Sequence, residues 1–92
     1  MKGVFFAGDR TAVVREKADP TPGPGEVLVQ MRAAAVCGSD LHRYRRPVAD
    51  IGQFLAVVVG HEPCGVVADI GAGVTMVRPG DRVVIYHRRG CG

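Results

Sequence analysis

Apolar and polar residues alternate along much of this chain, a pattern that is typical of β-strands rather than helices. Residues 4–7 form a short apolar run, Gly8 and Asp9 favour a turn, and residues 11–17 form a second extended stretch. Because the two stretches are joined by a short turn, they predict a β-hairpin at the start of the chain.

Further strands are predicted beyond a connector rich in proline and glycine. The connector, residues 19–25, disfavours helix and sheet alike because proline has no amide donor. Residues 26–32 have apolar side chains at every second position, which predicts a half-buried strand. Strands are also predicted at residues 64–70 and 82–86, and a loop at residues 47–53.

One short helix is predicted near residues 39–45, because Ser39 is a favourable N-cap for a helix that begins near Asp40. The run GAG at residues 71–73 begins like a dinucleotide-binding fingerprint. The third glycine of that fingerprint is missing, however, and no long amphipathic helix follows. The run therefore predicts a hairpin loop, and no residue of this chain is expected to bind a dinucleotide.

Length and composition indicate one ordinary globular domain. The chain has 92 residues, of which 47% are hydrophobic and 23% charged, with a net charge of +3. The densest basic run, residues 43–46, has no broad basic stripe beside it, so we expect a solvated loop and no nucleic-acid partner. No apolar run is long enough to cross a membrane, and the lack of a signal-peptide core favours the cytoplasm.

The three cysteines indicate metal chemistry more than disulfide bonds. An odd count with no secretory signal argues against a disulfide framework. Cys64 is interpreted as a small buried residue at the start of a strand. Cys91, followed by the final glycine, resembles the first half of a Cys-x-x-Cys knuckle.

Two short clusters carry the candidate chemistry: CGSDLH at residues 37–42 and GHEPCG at residues 60–65. Each places a thiol or imidazole beside a carboxylate and a glycine. Zinc prefers thiolate sulfur and imidazole nitrogen, and a catalytic zinc uses three protein ligands with one position open. We therefore interpret Cys37 and His61 as metal ligands, rather than as a buried thiol and a structural histidine.

Four polar neighbours complete the candidate site. Asp40 is interpreted as the carboxylate that orients the His61 ring, because metal-bound imidazoles usually have such a partner. Glu62 is interpreted as a residue beneath the metal or an intermittent ligand; for both acids the alternative is an exposed loop carboxylate. Ser39 is suited to hold a substrate oxygen; the alternative is that it serves only as a helix cap. His42 follows three residues later on the same helix face, which suggests a proton relay.

Taken in order, five motifs resemble the amino-terminal part of the zinc-dependent medium-chain alcohol dehydrogenases, and the resemblance covers essentially the whole chain. The motifs are PGEVLV at 24–29, CGSDLH at 37–42, GHE at 60–62, GAGV at 71–74 and PGDRV at 79–83. The resemblance implies a mainly β fold: a GroES-like, partly open β-barrel with one short helix, and with the coenzyme-binding Rossmann domain absent from this chain.

The resemblance also implies two zinc sites. Cys37 and His61 match two ligands of a catalytic zinc. Glu62 matches the adjacent acidic residue, and Asp40 matches the partner of the histidine. Cys91 matches the first of four cysteines that hold a structural zinc in many members. The remaining ligands are expected beyond the chain, so residues 1–92 are predicted to be one domain, cut at the start of the structural-zinc loop.

The implied function is an NAD- or NADP-linked alcohol or polyol dehydrogenase acting on a small alcohol or carbonyl compound. Ser39 and His42 match the hydroxyl and imidazole of its proton relay, and the nicotinamide cofactor is expected to be bound mainly by the missing domain. We expect a homo-oligomer for the full-length protein and no activity for the 92-residue chain alone. Two alternatives stay open: a non-catalytic GroES-like binding module, and a zinc-free reductase of the quinone-reductase type.

Overall fold

Strands make up most of the regular structure, as the alternating pattern predicts. The computed structural model describes residues 1–87, with the backbone alone at residues 53 and 54. The chain divides into two compact units: the first contains Met1–Asp19 and Val36–Gly60, and the second contains Pro20–Ala35 and the residues from His61 onward.

The described residues contain five strands and three short helical segments, and the helical segments follow one another between the third and fourth strands. In chain order they are β1 (Lys2–Gly8), β2 (Thr11–Glu16), β3 (Val27–Ala35), α1 (Asp40–Tyr44), α2 (Val48–Ile51), a 3₁₀ helix (Gly52–Ala56), β4 (Glu62–Ile70) and β5 (Arg82–Val84).

The first unit is built on the predicted hairpin. Strands β1 and β2 pair antiparallel, with Val4 opposite Val14. The loop between them consists of Asp9 and Arg10, whose φ angles are 50° and 59°. Two central residues with positive φ match the twist of paired strands. The hairpin is confirmed, although its turn lies one residue later than predicted because Gly8 still belongs to β1.

The helical segments of this unit pack against β1. Phe5 on the strand and Ile51 at the end of α2 are its buried apolar side chains. Gly8 approaches α2 so closely that a methyl group at this position would lie 2.7 Å from the Val48 Cα. The small core of the unit therefore lies between the hairpin and the helical segments.

The loop predicted at residues 47–53 is wrong, since α2 and the 3₁₀ helix occupy this stretch. A helix of four residues is too short to show a helical period in the sequence. The residues at the two ends of α2 are nevertheless typical of helix boundaries. Pro47 precedes α2 and Gly52 follows it with a φ of 44°, which is the usual order of proline at the start of a helix and glycine at its end.

The second unit is a three-stranded antiparallel sheet in the order β3-β4-β5. Ala35 at the end of β3 pairs with Glu62 at the start of β4, and Cys64 pairs with Val84 on β5. The connection from β4 to β5 returns to the sheet where the Gly80 amide donates to the Val67 carbonyl at 2.9 Å. No helix follows the GAG run among the described residues, as the predicted hairpin loop requires.

The half-buried alternation predicted for β3 is wrong in detail. Val27 and Met31 are 37% and 47% exposed. The pairing of β3 with β4 shifts register twice, between Leu28 and Val29 and between Met31 and Ala33. Such shifts break the two-residue period that the sequence pattern assumes. The buried apolar side chain of this sheet is instead Val67 on β4.

Across residues 1–87, no helix combines the length and the apolar character needed to cross a lipid bilayer.

Candidate metal and proton-transfer site

Asp40 and Cys37 hold each other through a reciprocal pair of hydrogen bonds. The Cys37 amide donates to Asp40 Oδ2 at 2.9 Å, and the Asp40 amide donates to the Cys37 carbonyl at 3.0 Å. Cys37 is half-buried, whereas Asp40 is only 5% exposed and is the buried charged residue of the described chain. The two bonds close a four-residue turn that fixes the backbone of the candidate ligand.

The same turn occurs twice more in the second unit. The Arg78 amide donates to Asp81 Oδ2 at 3.0 Å, and the Asp81 amide donates back to the Arg78 carbonyl at 3.1 Å. Gly23 and Glu26 repeat both bonds at 2.9 and 3.0 Å. In these two copies the acid is exposed. The copy at Cys37 therefore differs from them in the burial of its carboxylate.

Ser39 and His42 are positioned by α1, which lies where the sequence predicts a helix. Ser39 occupies the N-cap position, but its side chain makes no capping hydrogen bond. The expected cap is therefore wrong. The reason is that Ser39 has helical dihedrals (φ −67°, ψ −21°), whereas a capping side chain normally requires an extended backbone. His42 lies on α1, three residues on, and is exposed.

His61 and Glu62 lie at the entry to β4. Gly60, just before them, has a φ of 99°, a left-handed conformation that favours glycine. His61 is half-buried and Glu62 is exposed. The His61 ring packs against the ring of His87 in a T-shaped arrangement, with centroids 5.5 Å apart and an interplanar angle of 62°. No motif in the sequence links His61 with His87, so the residue pattern does not predict this contact.

The donor chemistry of these residues fits zinc. Among the described residues, neither Cys37 nor Cys64 is in a disulfide bond. A thiol, an imidazole and a carboxylate are all ligands that zinc accepts. Cys64 lies within β4, as predicted, but it is half-buried rather than buried. Cys91 lies outside the described residues, and the contact expected between Asp40 and the His61 ring stays a prediction.

The fold is that of a GroES-like domain. The family model for the alcohol dehydrogenase GroES-like domain matches residues 23–92. The chain therefore belongs to this family, which confirms the predicted family and the mainly β, GroES-like fold.

Several similar proteins of known sequence or structure are named as dehydrogenases or as dehydrogenase-like proteins. An uncharacterized zinc-type alcohol dehydrogenase-like protein of Escherichia coli, YphC, is 39% identical over 98 residues, covering 100% of this chain and 28% of that protein. Sorbitol dehydrogenase of Gallus gallus is 48% identical over 85 residues, covering 89% of this chain and 23% of that enzyme.

The structure of alcohol dehydrogenase TADH from Thermus sp. ATN1 is also similar. It superimposes with a TM-score of 0.78 at 36% sequence identity, over 91% of this chain and 24% of that one. The chain thus spans about a quarter of the length of the dehydrogenases that it matches.

Proposed function

We propose that this chain supplies zinc-binding and proton-transfer residues to an NAD- or NADP-linked alcohol or polyol dehydrogenase. The observation that carries the proposal is the reciprocal pair of hydrogen bonds between Cys37 and the buried Asp40. A binding site works best when neighbouring groups hold its ligands in place in advance. The buried Asp40 carboxylate, which accepts a hydrogen bond from the amide of the candidate ligand Cys37, is such a support.

The strand register supports the pairing of Cys37 with His61 as ligands. Ala35 lies opposite Glu62, where β3 ends and β4 begins. Cys37 follows Ala35 by two residues, which limits the separation of their Cα atoms to about 7–8 Å. His61 directly precedes Glu62. Chain connectivity therefore keeps both candidate ligands close to one pair of residues in the sheet.

Each polar residue has a distinct role in the proposal. Cys37 and His61 hold the ion, and Glu62 lies beside it as an adjacent acid. When bound, zinc supplies Lewis acidity towards the substrate oxygen. The Ser39 hydroxyl would accept the proton of the alcohol while donating its own proton to His42, and His42 would release a proton to water, which fits its exposed position on α1. A nicotinamide cofactor, held mainly by parts of the enzyme outside this chain, would supply the hydride acceptor.

The remaining proposals concern the complete enzyme. Residues 1–92 belong to one GroES-like domain, and Cys91 is a ligand of a structural zinc. The substrate is a small alcohol or carbonyl compound, the enzyme is a cytoplasmic homo-oligomer, and neither nucleic acid nor membrane is a partner. The 92-residue chain by itself does not turn over NAD and a secondary alcohol, because its ligand set is incomplete; measured turnover would contradict this.

The test compares two half-buried cysteines in the full-length protein that carries this chain. Cys37→Ser is expected to lower zinc content and dehydrogenase turnover together, because it removes a ligand. Cys64→Ser, within β4, is the matched control and is expected to retain both. Zinc is measured by atomic absorption and turnover by NADH formation. Normal zinc and normal turnover in Cys37→Ser would contradict the proposal.

A further inference from the structure

We propose that His87 is a positioning residue that sets the orientation of the His61 ring at the metal site. This inference rests on the proposed function, since it takes His61 to be a zinc ligand. The contact that suggests it is the T-shaped packing of the two imidazoles, 5.5 Å apart. T-shaped pairs are a preferred geometry between aromatic rings and resist reorientation of either ring.

The backbone register explains why the two histidines meet. Cys64 pairs with Val84, and the Ile85 amide donates to the Pro63 carbonyl at 3.0 Å, one step further along the same antiparallel register. Neither histidine belongs to a strand, since β4 begins at Glu62 and β5 ends at Val84. Continued two residues further, the same register would bring His87 opposite His61, and side chains directly opposite each other have Cβ atoms about 4.5–5.5 Å apart. The ring contact therefore agrees with the direction in which the two strands lead the chain.

A second aromatic ring supports His87 in turn. Tyr86 packs against His87 with centroids 5.2 Å apart and an interplanar angle of 49°. His61, Glu62, Cys64, Tyr86 and His87 line one shallow depression at this edge of the sheet. His61 is thus held from the β5 side by a stack of rings. This matters because the second torsion of a histidine side chain is broad and does not fix the ring by itself.

His87 acts through His61 rather than as a ligand. Within residues 1–87, His87 belongs to no group of three or more His, Cys, Asp or Glu side chains close enough to share an ion. A phenylalanine at position 87 would therefore preserve the contact that orients the His61 ring, because it keeps an aromatic ring but offers no nitrogen ligand. A ligand role would require the nitrogen.

The experiment measures Co²⁺ affinity and the visible spectrum of bound Co²⁺ in the full-length protein that carries this chain, with zinc removed. Loss of the ring contact in His87→Ala is expected to weaken Co²⁺ binding about 2- to 10-fold and to alter the ligand-field bands. His87→Phe is expected to bind Co²⁺ within about 2-fold of the unaltered protein and to keep its spectrum. Met76→Ala is the control for a surface change, because the Met76 side chain lies in a loop and is 94% exposed.

Two outcomes would overturn the role of His87 while leaving the proposed function intact. Unaltered affinity and spectrum in His87→Ala would show that the ring contact has no effect on the metal site. Equal losses in His87→Ala and His87→Phe would show that the nitrogen is needed, as for a ligand. A spectrum with no thiolate-to-cobalt band in the unaltered protein would instead overturn the proposed function itself. Because His87 is exposed, its replacement is not expected to unfold the protein.

Discussion

Removing the Asp40 carboxylate is expected to loosen the backbone of Cys37 and weaken metal binding. Asp40→Ala deletes the acceptor of the 2.9 Å bond from the Cys37 amide, whereas Asp40→Asn keeps an oxygen and loses only the charge. The two variants separate the contribution of the hydrogen bond from that of the charge. Asp81→Ala is the matched control, because Asp81 closes the same turn at the exposed Arg78.

The magnitude follows from the type of bond. A hydrogen bond to a charged group contributes about 1.5–3 kcal/mol, and the low exposure of Asp40, 5%, limits competition from water. If the amide exchanges by local opening, its exchange in Asp40→Ala should be faster by about 10- to 150-fold. Asp40→Asn should lose less than about 10-fold, because a neutral bond remains. Zinc affinity should fall about 10- to 100-fold in Asp40→Ala.

Hydrogen exchange at the Cys37 amide and competition of the protein with a zinc chelator measure these two effects. In Asp81→Ala, exchange at the Arg78 amide is expected to accelerate while zinc affinity stays unchanged. Exchange of the Cys37 amide in Asp40→Ala at the rate of the unaltered protein would refute the support assigned to Asp40. The support assigned to Asp40 would also be refuted if Asp81→Ala lost as much zinc affinity as Asp40→Ala.

Two further predictions test the proton relay and the packing of the sheet. Ser39→Ala is expected to lower kcat of the full-length enzyme by about 10²-fold or more while zinc content is retained, with the exposed Thr75→Ala as the control; an unchanged kcat would remove Ser39 from the relay. Gly65→Ala is expected to lower the free energy of unfolding by about 1–3 kcal/mol, because a methyl group there would overlap the Gln30 carbonyl oxygen. Gly38→Ala, where no atom lies within 4 Å of the added methyl, should change it by less than about 0.5 kcal/mol in denaturant titrations; equal effects at the two glycines would contradict the packing argument.

The sequence predicts the features that depend on local patterns and misses those that depend on pairing. The hairpin and β4 follow from short apolar runs between turn residues, and α1 from a polar N-cap residue. The α2 helix was missed because four residues cannot display a helical period. The exposure of Met31 was missed because the register shifts in β3 depend on its partner strand.

In the candidate site too, residue choice follows from local patterns, whereas contacts depend on pairing. Cys37, His61 and Asp40 can be chosen from residue type and motif, because zinc restricts its ligands to a few side chains. The turn between Cys37 and Asp40 requires knowledge of hydrogen bonds that residue types alone do not specify. His87 belongs to neither of the two clusters that carry the candidate chemistry, and its side chain is exposed. Its contact with His61 follows only once the alignment of β4 with β5 is known.

The threefold occurrence of one turn has a consequence for how the enzyme would acquire its ion. Gly23 and Arg78 head the same closed turn in segments that carry no proposed ligand, so this backbone shape forms without help from a metal. The segment carrying Cys37 would then already be shaped in the apoprotein. Chelation should strip the ion without disordering this segment, and re-addition should restore it without a refolding delay.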